Sequence, residues 1–358
     1  LSVYPEWAAV ERQDVGKPGP QPSAAENSYY FLDPAIPEAR RYLLDLYTEM
    51  LRKYNLDGLH LDYIRYPISL PLENSFSYSD HSRQAFQAEY GVDPYTITPD
   101  GNPDAWTNWV AWRQNNITSF VEQIRTLIDA GESRAALSAA VFPDEFDSKI
   151  KKLQDWERWT QRGWMDFMAG MSFGRSAESV ANDTAAMRKT IGDQALIYTG
   201  AYGPFLALPP DTMVDQVNGI RAHGGHGVSL FAWGQISQPY IVALREGPYR
   251  RPAITPHDHP VPAVATGVQD LRRRVTDVYV PDGCLDARLR QPVTRALDRL
   301  TELLQRDTPG SRVAAITQLD VLQRLLKREN RFIDPALAER LAAELALYTS
   351  VLNYARER

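Results

Sequence analysis

The 358 residues suffice for one large domain with a small companion, and 44% hydrophobic against 23% charged residues is the balance of a globular chain. Lys and Arg number 39 against 45 Asp and Glu, which leaves no cationic field to hold nucleic acid or anionic lipid. The single Cys284 excludes an intramolecular disulfide and a cysteine-based metal cluster, and no apolar run reaches the roughly 18 residues that cross a bilayer.

Residues 1 to about 32 lack periodicity and contain Gly16-Lys17-Pro18-Gly19-Pro20-Gln21-Pro22, a loop by composition. Asp33-Pro34 then opens a helix, with Asp33 as its expected cap and Pro37 in the first turn. From Glu38 to Tyr54 the apolar residues Tyr42, Leu43, Leu46, Tyr47, Met50 and Leu51 recur at helical spacing. Asn55 and Gly58 end that helix, and Leu59 to Ile64 reads as a strand. Helices follow at Asp80 to Tyr90 and Asp104 to about Ile128, then a small-residue strand at Ala135 to Phe142. A helix at Asp147 to Arg162 precedes the strand Met165 to Met171, and a helix at Ser176 to Ile191 precedes the strand Ala195 to Gly200. The last such pair is the helix Asp211 to Ala222 and the strand Gly227 to Trp233.

Five strands, each separated from the next by helix, imply parallel strands and right-handed crossovers. No Gly-rich phosphate turn follows a strand at the required spacing, which favours a (β/α)₈ TIM barrel over a doubly wound nucleotide-binding sheet. Five strands do not close such a barrel. The chain also starts at Leu1 in what reads as a loop, so three further strands, and any export signal, are expected upstream. Without them the first strand would present an open edge, and the chain alone is expected to be poorly soluble.

After Trp233 the composition shifts, and Glu246 to Pro262 carries five prolines. Beyond it, amphipathic helices at Val268 to Val278, Gln291 to Gln305, Ser311 to Glu329 and Pro335 to Ala355 predict an all-α bundle. The expected organisation is a partial barrel domain over 1–245, a Pro-rich linker over 246–266 and a helical bundle over 267–358. The bundle contains no catalytic constellation.

The segment Asp57-Gly58-Leu59-His60-Leu61-Asp62-Tyr63-Ile64-Arg65-Tyr66-Pro67 concentrates the chemistry. Side chains alternate along a strand, so Leu59 and Leu61 pack under helices while His60 and Asp62 face the other way. Asp62 stands near the C-terminal end of the strand, where barrel enzymes place catalytic groups. Asp57, at the strand's other end, is structural. A carboxylate, an imidazole, a guanidinium and two tyrosines in seven residues suit a sugar with developing positive charge. The competing structural reading pairs Asp62 with Arg65, or has it cap the following loop while Tyr63 and Tyr66 fill space.

These residues, with Tyr30-Phe31-Leu32-Asp33-Pro34 and Pro37-Glu38-Ala39-Arg40 before them, resemble the signature of the family 10 glycosyl-hydrolase-like proteins. Ser138-Ala139-Ala140-Val141-Phe142-Pro143 and Gly163-Trp164-Met165-Asp166-Phe167 are similar to later blocks of that family, particularly its cyanobacterial members. The resemblance runs from about Pro5 to Trp233. It implies a TIM barrel in which the Asp62 strand is the fourth, with a catalytic carboxylate at its end, and a relation to bacterial enzymes acting on cell-wall glycans. It also implies a periplasmic or extracellular location. The chain departs from the pattern at Met171-Ser172-Phe173, where a tyrosine is expected in third place.

Glycoside hydrolysis ordinarily needs two carboxylates. Asp144 and Glu145 directly follow the second strand, and strand parity favours Asp144, although both suit a solvated acidic loop better and a carboxylate in the expected upstream segment is an equal candidate. Tyr202, Trp233 and Gln235 lie at other strand ends and fit a sugar site, since rings stack on C–H faces and amides reach hydroxyls. Glu6 and Trp7 are weaker candidates. His223-Gly224-Gly225-His226 precedes its strand and His257-Asp258-His259 lies among prolines, so neither is expected to bind metal. The expectation is a glycoside hydrolase of a polysaccharide needing no metal or organic cofactor. Asp62 would be nucleophile or charge stabiliser, Glu145 or Asp144 the acid, and His60, Tyr63, Arg65 and Tyr66 sugar-orienting groups. The alternatives are a non-catalytic glycan-binding barrel at the cell envelope, and a bundle that is itself the interaction domain.

Overall fold

The computed structural model describes residues 1–131 and 135–357 and divides into two compact units, Leu1–Met165 and Asp166–Arg358. The class is α/β, and the strand pairings β1–β2, β3–β4 and β4–β5 are all parallel.

The first unit runs through α1 (Pro37–Lys53), β1 (Gly58–Leu61), α2 (Asp80–Tyr90), α3 (Pro103–Ala130), β2 (Ala136–Val141) and α4 (Trp156–Gln161). Helix α1 starts on Pro37, whose missing N–H costs nothing in a first turn. Asp33 is not its cap: Ile36 precedes the helix without a side-chain cap bond, and Asp33 is fully buried. Helix α2 is capped by the Ser79 hydroxyl, which accepts from the Ser82 N–H, and ends on Gly91 in the left-handed region (φ 76°). Tyr78, Phe86, Ile97 and Trp109 form an aromatic-rich core around α2 and α3.

Strand β1 pairs with β2 in the register Gly58↔Ala136 and His60↔Ser138. It ends at Leu61, three residues before the predicted Ile64. The Asp62 carboxylate accepts the N–H of Tyr63 at 2.8 Å, and Tyr63 turns to φ 52°, which no strand residue can hold. The predicted helix from Asp147 to Arg162 is also broken, into a single wide turn (Asp147–Lys151) and α4. Between them the buried Gln154 amide donates to the carbonyls of Ile64 (3.2 Å) and Ala140 (3.1 Å). Those two backbone acceptors draw the chain out of helical geometry.

The second unit holds β3 (Phe167–Gly170), α5 (Ala177–Ile191), β4 (Leu196–Ala201), α6 (Pro210–Ala222), β5 (Gly227–Leu230) and α7 (Gln238–Glu246). Then come α8 (Pro260–Arg274), α9 (Ala287–Arg306), α10 (Pro309–Arg328) and α11 (Pro335–Glu357). Strand β4 pairs with both β3 and β5. The predicted proline-rich linker contributes to helix at its end, because Pro260 occupies the first turn of α8. Leu196 and Tyr198 of β4 share one apolar core with Val264, Val268, Leu297, Leu319, Leu345 and Leu352 of the helices. No helix among the described residues is long and apolar enough to cross a membrane.

His226 ties these layers together. Its Nδ1 accepts the Ile197 N–H at 3.0 Å, which leaves the proton on Nε2, 3.0 Å from the Ser350 hydroxyl of α11. Burial, helped by the charge of Arg188, pushes its pKa down to about 3. An unfolded histidine takes up its proton near pH 6.5. The stability His226 contributes is therefore complete above that pH and drains away as pH falls toward 3. Between pH 7 and pH 5 the second unit is expected to lose about 2 kcal/mol of unfolding free energy through this residue. Denaturant titrations at several pH values would check it: His226→Gln should flatten the dependence, and an unchanged slope would assign it elsewhere.

Candidate functional site

Within the first unit, the alternation of β1 places Leu59 and Leu61 in the core and leaves His60 solvent-accessible, with Asp62 exposed beyond it. His60 Nδ1 lies 2.9 Å from the hydroxyl of Ser138, its register partner on β2. Partial burial lowers the His60 pKa, with the Asp62 charge acting in the opposite direction, so the imidazole is neutral at pH 7. It can hold a hydroxyl of a ligand or of Ser138. It is poorly suited to donate a proton as an acid.

Two of the three residues predicted to orient sugar from the following loop are engaged internally. Arg65, 9% exposed, clasps Glu26 through two bonds of 2.7 and 3.1 Å, and its guanidinium lies over the Tyr63 ring at 4.8 Å. Burial alone would raise the Glu26 pKa, but the hydrogen bond and charge of Arg65 and the Ile68 N–H outweigh it, and the net shift is downward. Tyr66, 1% exposed, donates to Asp33 at 3.0 Å. Asp33 also accepts from Ser79 at 2.8 Å and Ser82 at 2.7 Å. Burial, and then the Asp33 charge, drive the Tyr66 pKa well above the phenolic range. Tyr66 is therefore a neutral donor inside the protein and is not placed to touch a sugar. Tyr63 remains 42% exposed, edge-on to Tyr29 and tilted against Phe31.

Asp144 and Glu145 are both exposed beyond β2. Asp144 accepts the Asp147 N–H at 2.7 Å and so fixes the turn. Glu145 pairs with Lys149 at 2.7 Å, and this hydrogen bond and charge lower its pKa. A group held ionised in this way opposes a role for Glu145 as proton donor. Two open clefts also lie in this unit. One of about 700 Å³ includes Glu6, Trp7 and Asp80, and one of about 770 Å³ is lined by Tyr4, Trp7, Tyr30 and Tyr42. Asp62 lines neither.

In the second unit Tyr202 directly follows β4 and is 7% exposed, packed on Phe173 (4.3 Å between ring centres) and Phe231 (5.2 Å). Trp233 is 82% exposed and Gln235 is exposed beside it, both in a short turn after β5. Among the described residues no group of three or more His, Cys, Asp or Glu is arranged to hold a metal ion.

The sequence profile of the glycosyl hydrolase-like 10 family matches residues 1–201. The chain belongs to that family. It is also similar to a glycosyl hydrolase of Bacillus subtilis (strain 168), YngK, at 25% identity in a 161-residue alignment that covers 41% of this chain and 28% of the relative. The chain thus spans under a third of that relative's length. The family match takes in Asp62, Asp144 and Glu145 and closes on Ala201, the last residue of β4, short of Trp233, where the sequence resemblance was expected to end.

Glu26 went unseen in the sequence because it sits in an aperiodic loop 39 residues before its partner. Phe205 and Phe231 went unseen because each reads as an ordinary core-forming apolar residue, and Phe173 drew notice only as standing where a tyrosine is expected. The Arg65–Glu26 pair supplies a test of how the loop beyond Asp62 is held. Glu26→Ala leaves a buried guanidinium uncompensated and is expected to cost about 3 kcal/mol of stability. Equilibrium denaturation of the variant would measure it, and a loss under about 1 kcal/mol would mean the pair behaves as a surface ion pair.

Proposed function

We propose that this chain contributes to a (β/α)₈ barrel that hydrolyses an O-glycosidic bond of a polysaccharide, with Asp62 as its central carboxylate. The observation that carries the reading is the placement of Asp62: exposed at the C-terminal end of a parallel strand, next to a partly desolvated neutral imidazole, in a glycosyl hydrolase-like family. At that place an ionised carboxylate faces the positive charge that grows on the anomeric carbon, as nucleophile or as electrostatic stabiliser. His60 and Tyr63 orient hydroxyls around it. Arg65 and Tyr66 hold the loop rather than the sugar. Asp144 is preferred to Glu145 as the second carboxylate, since Lys149 keeps Glu145 ionised. A bacterial cell-wall glycan is the substrate class we favour, from the family resemblance.

A second reading, a non-catalytic glycan-binding barrel at the cell envelope, draws support from one observation. Both carboxylates after β2 already have local partners, Asp147 N–H and Lys149. The deciding experiment compares the full chain with Asp62→Asn on cell-wall glycan strands and a panel of other polysaccharides. Hydrolysis is expected to fall at least about 100-fold with the far-ultraviolet spectrum and melting temperature unchanged. Equal activity in both proteins would remove Asp62 from the chemistry. Glycan retention without turnover in either would establish the binding reading.

A further inference from the structure

Three successive parallel strands of the second unit end in aromatic residues. Phe173 follows β3, Tyr202 and Phe205 follow β4, and Phe231 follows β5. Their rings form one cluster: Phe173–Tyr202 at 4.3 Å, Tyr202–Phe231 at 5.2 Å, Phe205–Phe231 at 5.6 Å and Phe173–Phe205 at 6.4 Å between centres. Tyr202 is the buried floor at 7% exposure. The three phenylalanines around it are 44%, 47% and 45% exposed, and Trp233, two residues beyond Phe231, is 82% exposed.

A phenylalanine that served only the core would be covered, and one exposed singly would need no explanation. Three half-exposed rings fixed against a common tyrosine are a preorganised apolar surface, and aromatic side chains are stiff enough to present it at low entropic cost. The cluster occupies the C-terminal strand ends, the end at which parallel α/β folds take their ligands. Neighbouring strands are about 4.8 Å apart, so three strand ends span about 10 Å, the scale of an extended ligand rather than a single ring. An exposed amide, Gln235, stands after the same β5.

We infer that Phe173, Phe205 and Phe231, on the Tyr202 floor, form a stacking platform for a flat, β-linked glycan chain, with Trp233 extending it. This inference rests on the proposed glycan-directed function and names the chemistry of its binding part. Equatorially linked pyranoses carry their axial C–H bonds on both flat faces, and those faces match the electron-rich faces of the rings. An α-linked helical glucan offers no such extended flat face. Stacking involves no bond making, so the platform is a binding surface and none of its rings is a catalytic residue.

The test is native affinity electrophoresis of the full chain through gels containing hydroxyethyl cellulose, glycol chitin or, as the α-linked control, dextran. Retention is expected from the β-linked polymers and not from dextran. Phe205→Ala and Phe173→Ala should each weaken it about ten-fold, the equivalent of about 1.4 kcal/mol, while Phe205→Trp restores it and melting temperatures stay level. Equal retention of wild type and the Ala variants would overturn the platform, as would retention by dextran or a concentration-dependent dimer abolished by Phe205→Asp. Turnover of a short aryl glycoside separates the two proposals. It should be lost in Asp62→Asn, and that loss with undiminished polymer retention in Phe205→Ala would overturn the platform alone, whereas turnover unchanged in Asp62→Asn would remove the proposed catalytic role and leave the platform standing.

Discussion

The close apposition of β1 and β2 governs where every candidate group of the first unit lies. A side chain added at Gly58 would put its Cβ 2.9 Å from the Ala136 carbonyl oxygen, inside contact distance, so the first rung of the ladder requires glycine. With that rung fixed, the period of two does the rest. Leu59 and Leu61 enter the core, His60 meets Ser138, and Asp62 emerges at the strand end. A slip of one residue would reverse each of these directions and bury an imidazole and a carboxylate where two leucines now sit.

The loop beyond Asp62 is held by polar groups rather than by strand pairing. Tyr63 has turned left-handed, so the backbone has left the ladder. The loop is then secured at two internal anchors, Arg65 on Glu26 and Tyr66 on Asp33. Both anchors are buried, and each is hydrogen-bonded to a carboxylate, which is the condition under which such groups stabilise rather than cost. The hydroxyls of Ser79 and Ser82 converge on Asp33 from the start of α2, so the insertion between β1 and α3 is fastened to the segment ahead of α1. An exposed carboxylate thus stands on a loop that has little freedom to move it.

Much of this was legible in the sequence, and the errors have identifiable physics. The alternation of crossover helices and strands, the inward leucines and the accessible Asp62 followed from periodicity, which reports burial directly. Strand ends did not, because Asp62 capping the next N–H and Gln154 reaching two carbonyls are side-chain competitions with the backbone that no periodicity encodes. Arg65 and Tyr66 read as sugar contacts because charge and aromaticity beside a strand end look alike whether the partner is a ligand or a distant loop. The partners, Glu26 and Asp33, are 39 and 33 residues upstream. Prolines misled in the same way, marking a break in composition while Pro260 begins a helix.

The two kinds of chemistry differ in what they can contribute. An aromatic surface such as Phe173, Phe205 and Phe231 gains its energy from contact area, and that gain is nearly the same for a substrate and for its transition state. Such a surface lowers the concentration of glycan needed without speeding bond cleavage. A carboxylate in the position of Asp62 gains little from a neutral sugar and much from an oxocarbenium-like one. Its worth therefore appears in the chemical step. The rings are also indifferent to pH, whereas a carboxylate acts only when ionised.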